Sequence, residues 1–72
     1  MDKIKEVKNI KSIKTKRYEL KLVQGIESGL YYVAYKKVNK NEEDKVYVSS
    51  GLNDYSLASI VFDEYRIELE GN

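Results

Sequence analysis

From residue 18 to residue 22 the side chains change character at every step, Tyr18, Leu20 and Leu22 alternating with Glu19 and Lys21, before Val23 follows. A period of two suits a strand with one face buried, because successive side chains on a strand point to opposite sides. Two further runs continue the theme. LYYVAYKKV covers residues 30–38, and in KVYVSS, residues 45–50, Val46 and Val48 alternate with Tyr47 and Ser49. The links between them, QGIESG and NKNEED, are polar, and the first holds two glycines. Short alternating runs joined by polar links are the signature of an antiparallel meander.

The pattern then changes. In GLNDYSLASIVFDEYRIELEGN, Ala58, Val61, Phe62, Tyr65 and Leu69 form one apolar helical stripe, Asn53 or Asp54 supplies an N-cap, and Gly71 ends the helix. Three features speak against the second half of that helix: Glu64 and Glu68 are like charges four apart, Glu68 and Glu70 sit at the negative end of the helix dipole, and Tyr65, Ile67 and Leu69 also alternate as in a strand. A continued helix and a fourth strand beyond Tyr65 are both open at this point. The expected fold is α+β, a three-stranded antiparallel meander near residues 17–24, 30–38 and 45–50 packed on one C-terminal helix, with a small all-β barrel as the alternative.

Residues 1–16 resist this scheme. Ile4, Val7, Ile10 and Ile13 recur every three residues among lysines, a spacing that drifts around an α-helix, so the segment reads as a basic leader or arm before a single domain at 17–72. Residues 1–21 carry eight basic and three acidic side chains, whereas residues 22–72 carry five and nine, an asymmetry that the net charge of +1 conceals. Lysine outnumbers arginine eleven to two alongside frequent asparagine, isoleucine and tyrosine, as a low-GC genome produces, which weakens arguments from lysine content.

Function is bounded mainly by exclusion. With no histidine and no cysteine, neither a Ser/His/Asp nor a Cys/His arrangement can be built, and no disulfide or usual zinc site is available. The four glycines match neither the dinucleotide nor the phosphate-loop spacing. Asn39, Asn41 and Glu43 imitate the oxygen ligands of a calcium loop, but Asp44 stands where its glycine belongs and Ser50 where its bidentate glutamate belongs. The chain therefore calls for no catalytic residue, metal or cofactor. No apolar run reaches the ~18 residues of a membrane span, and the amino terminus lacks the apolar core of a signal peptide, so the expectation is a cytoplasmic domain.

What remains is binding. Leu30, Tyr32, Ala34 and Val38 are expected under the helix, since a small Ala34 suits that position, with Tyr18, Leu20, Leu22, Val46 and Val48 beside them. That leaves Lys21, Tyr31, Val33, Tyr35, Lys37 and Tyr47 on the open sheet face as the candidate partner-binding set. Such a face suits another protein, because tyrosine covers area at low entropic cost. Base stacking on a nucleic acid, aided by the basic arm, is the alternative, and mutual cover among the tyrosines is the bland one. The order strand, strand, strand, helix over residues 17–70 resembles, in topology alone, the amino-terminal arm-binding domains of tyrosine recombinases. It also resembles small phage proteins that block a host enzyme by occupying its nucleic-acid site. The resemblance implies binding classes, including an inhibitor or adaptor of a phage or mobile element, and assigns no residue.

Overall fold

The computed structural model describes residues 6–38 and 46–71. They form β1 (Val7–Lys14), β2 (Tyr18–Gly25), β3 (Tyr31–Lys37), β4 (Val46–Val48) and α1 (Tyr55–Gly71). The strands make one antiparallel sheet in the order β1-β2-β3-β4, and α1 lies across β2 and β3 on one side of it. The α+β meander with a C-terminal helix is thus the architecture. The barrel alternative is not, because β1 and β4 are the outer strands of an open sheet. The loop NKNEED and Ile4 lie outside the described residues.

The sheet has four strands among the described residues, where three were expected, and the additional one comes from the segment read as an arm. Its period of three has a physical cause. Val7 pairs with Gly25 and Asn9 with Val23, but Lys11 pairs with Leu22, so Ile10 is inserted as a β-bulge. A bulge shifts the alternation by one residue. Val7 therefore points away from the helix, while Ile10 and Ile13, three residues apart, both pack against the core. The bulge also brings Lys11 to the helix side, where its ammonium sits 4.8 Å from the centre of the Phe62 ring.

Local chemistry sets the turns. Between β1 and β2 the Thr15 hydroxyl accepts hydrogen bonds from the Arg17 and Tyr18 amides at 3.1 Å each. Between β2 and β3 the chain reverses through Gly29, whose φ of 74° is a left-handed conformation that glycine adopts without steric cost. Beyond β4 the chain continues beside β3: the Ser49 Oγ accepts from the Val33 amide at 3.0 Å, and Tyr31 and Leu52 exchange backbone bonds of 2.7 and 2.8 Å. These bonds satisfy donors on β3 that would otherwise lack a strand partner.

The core consists of Tyr18, Leu20 and Leu22 from β2, Val33 from β3, and Ala58, Phe62 and Leu69 from α1. Asp54 is the N-cap, its Oδ2 accepting from the Leu57 amide at 3.1 Å. The helix runs on to Gly71 and no strand forms after Tyr65. Two β2-side residues stabilise its acidic end. The Arg17 guanidinium donates to the Leu69 carbonyl at 2.8 Å, and the Tyr18 hydroxyl donates to the Glu70 carboxylate at 2.9 Å. A cation at a helix C-terminus opposes the dipole that Glu68 and Glu70 aggravate.

Candidate functional site

Strand pairing fixes which side chains share a face. Leu22 faces Val33 and Leu20 faces Tyr35 across β2 and β3, and Tyr35 faces Tyr47 across β3 and β4. These pairs all lie under or beside α1. The complementary set, on the side without a helix, is Glu19 with Lys36, Lys21 with Ala34, Val23 with Tyr32, and Val46 and Val48 opposite Lys36 and Ala34. From β1, Val7, Asn9, Ser12 and Lys14 join it.

This reverses the expected orientation of β3 and β4. Of the candidate partner-binding residues, Lys21 alone stands on the open face. Val33 is fully buried in the core at 0 % exposure. Tyr31 meets Tyr55 edge-on at 5.6 Å, and Tyr35 stacks on Tyr47 at 5.1 Å and tilts against Tyr65 at 5.3 Å, all on the helix side. Lys37, paired with Tyr18, is exposed at the helix-side end of β3. Tyr32, Ala34, Val46 and Val48, expected under the helix, face the other way.

The reason is apolar area. A one-residue change of phase moves every side chain of a strand to the other face. Burying the odd set buries Tyr31, Val33 and Tyr35, whereas burying the even set would bury Tyr32, Ala34 and Lys36. The larger apolar gain favours the odd set, and its own lysine, Lys37, stays exposed at the strand end. The sequence of β3 alone carries no clear signal, since one set ends in Lys36 and the other in Lys37.

On the open face, all four strands line a shallow concavity of about 440 Å³, bordered by Val7, Asn9, Glu19, Lys21, Val23, Ala34, Tyr35, Lys36 and Val46. Its floor is apolar. Val23 is only 5 % exposed although α1 lies on the other side of the sheet, and Val46 at the outer strand is 63 % exposed. The Tyr32 ring lies beside Gly51, where an added Cβ would approach it to 3.3 Å and Leu30 to 2.9 Å, so the absence of a side chain at Gly51 leaves space for it. Glu19 lies between two lysines, 3.8 Å from Lys21 and 3.9 Å from Lys36, and Lys14 stands opposite it on β1. Among the described residues the face therefore combines an apolar floor with more positive than negative charge.

Two tyrosines have perturbed hydroxyls, both on the helix side. Burial raises the pKa of Tyr18 above its ordinary value, reinforced by its hydrogen bond to Glu70 and that carboxylate's charge. Burial likewise raises that of Tyr35, with smaller contributions from Tyr47, Tyr65 and Glu68. Both hydroxyls are held neutral in packed surroundings, which is a structural role. Among the described residues no cluster of three or more acidic side chains is placed to hold a metal ion, and no helix is long and apolar enough to cross a membrane. No protein-family model, no curated protein and no solved structure matches this chain.

Proposed function

We propose that this protein is a small non-enzymatic binding domain, of the inhibitor or adaptor kind, whose open sheet face docks another protein. The observation that carries the reading is the valine and alanine floor of that face, left uncovered by α1 and edged by Lys14, Lys21 and Lys36. An antiparallel sheet with one solvated face ordinarily places polar residues there. Here Val7, Val23, Tyr32, Ala34, Val46 and Val48 occupy nearly half of the described strand positions that face outward. A nucleic acid fits less well, because the tyrosines proposed for base stacking pack on the helix side and Tyr32 is the aromatic residue on the open face among the described residues.

Affinity capture from the native host tests this with three proteins in parallel: the wild type, Val46→Glu on the open face, and Ile26→Glu at the exposed β2–β3 turn. A partner retained after nuclease treatment by the wild type and Ile26→Glu but lost by Val46→Glu supports the reading. Equal retention by all three moves the docking surface elsewhere, and loss on nuclease treatment favours nucleic acid.

A further inference from the structure

The open face and the outer surface of α1 lie on opposite sides of one sheet, and their chemistries are complementary. Ile60 and Ile67 stand 54 % and 62 % exposed on α1. They are two turns apart, so about 10 Å separates them along the outward ridge of the helix. Asp63 and Glu64 flank that ridge, one on each side of it. Over its whole length α1 carries four acidic residues and one basic one, Arg66, which pairs with Asp63 at 3.9 Å and Glu70 at 3.6 Å. Among the described residues the open sheet face offers the converse, valines and an alanine with Lys14, Lys21 and Lys36 beside Glu19.

Size agrees as well. A 17-residue helix is about 26 Å long and an 8-residue strand spans about the same length, and the other face of this sheet already carries such a helix. We infer that the open face of one copy receives the outward ridge of α1 from a second copy of this chain, so that copies associate head to tail. The inference rests on the reading that the open face docks protein, and it names the occupant. Charge decides against the two symmetric alternatives. Helix against helix would oppose carboxylates to carboxylates, and open face against open face would oppose lysines to lysines, whereas helix on sheet pairs opposite signs. Because the two surfaces differ, the contact is heterologous and the second copy keeps an unused open face. A footprint one helix wide is small beside the ~800 Å² per partner of a stable complex, so the association is weak and reversible.

Analytical ultracentrifugation of the full chain, run over rising concentration to about 1 mM, tests this. The average mass should rise above that of a monomer, and added salt from roughly 20 to 500 mM should raise the dissociation constant about tenfold by screening. Ile60→Lys spoils the ridge and keeps the sheet face; Val46→Glu spoils the sheet face and keeps the ridge. Each alone should remain monomeric. An equimolar mixture should form a complex that stops at two copies, since one intact ridge meets one intact face and neither leftover surface can continue. Both positions are exposed, and circular dichroism melts check that the variants are folded; Ile67→Lys and Lys21→Glu form a second pair of the same design. A wild type that stays monomeric throughout, single variants that still associate, or a mixture that stays monomeric would each overturn self-docking. Capture of a host protein that Val46→Glu loses would, in the first of those cases, leave the docking reading standing with a different occupant.

Discussion

The two faces of the sheet are built from the same strands, one residue out of phase, yet they differ in kind. The helix-side face holds Leu20, Leu22 and Val33 at its centre and rings them with Tyr31, which meets Tyr55 of α1, and Tyr35, which meets Tyr65 of α1 and Tyr47 of β4. On the open face the valines and Ala34 are small, and the larger side chains are mostly charged. The tyrosines serve as the outer wall of a core that a short chain would otherwise leave thin. Among the described residues the open face is the more cationic of the two at its centre, with Lys21 and Lys36 beside Glu19.

The largest expected contrast between the faces comes from deleting comparable apolar groups. Phe62, 2 % exposed over the middle of the sheet, should cost about 3–5 kcal/mol as Phe62→Ala. Val48→Ala on the open face should cost about 0.5 kcal/mol or less. Chemical denaturation of both variants measures the gap, and similar costs would mean that the open face is covered in the folded protein.

A finer contrast lies within one strand. Tyr35→Ala removes a ring that packs on Tyr47 and Tyr65 and should lower stability by about 2 kcal/mol. Tyr32→Ala, its neighbour in phase with the open face, should lower it by about 1 kcal/mol or less and act instead on binding. The opposite order of stabilities would restore the phase in which Tyr32 lies beneath the helix.

The smallest effect is a pH dependence confined to the helix side. Burial raises the folded-state pKa of Tyr18 and Tyr35, so their contribution to stability is complete below the unfolded value of about 10 and is lost as pH rises through the folded values. Between those limits the folded state holds protons that the unfolded chain has released. Stability measured from pH 9 to 11 should fall more steeply in the wild type than in Tyr18→Phe, which has no proton to lose there. Parallel curves would show that the Tyr18 hydroxyl titrates alike in both states.

Periodicity in the sequence was enough for the element types and the α+β class. The stripe Ala58, Val61, Phe62, Tyr65 and Leu69 is the face that α1 turns to the sheet, and Asp54 caps the helix as its residue type implies. The alternation in β2 pointed Tyr18, Leu20 and Leu22 inward and Lys21 outward, as the structure has them. Three matters were settled only by tertiary structure. The acidic end of α1 is held by groups distant in the chain: Arg17, 52 residues away, reaches the Leu69 carbonyl, and Leu69 itself is buried in the core. Membership of β1 was hidden because a bulged strand loses its period of two, and pairing with β2 is what places the bulge. The phase of β3 and β4 was undecided locally, since both sets of β3 contain tyrosine and both end in lysine. An isolated strand has no inside; pairing of β3 with the strongly phased β2, and the area gained by burying Tyr31, Val33 and Tyr35 together, turned those residues to the helix and left Tyr32, Ala34 and Lys36 as the open surface.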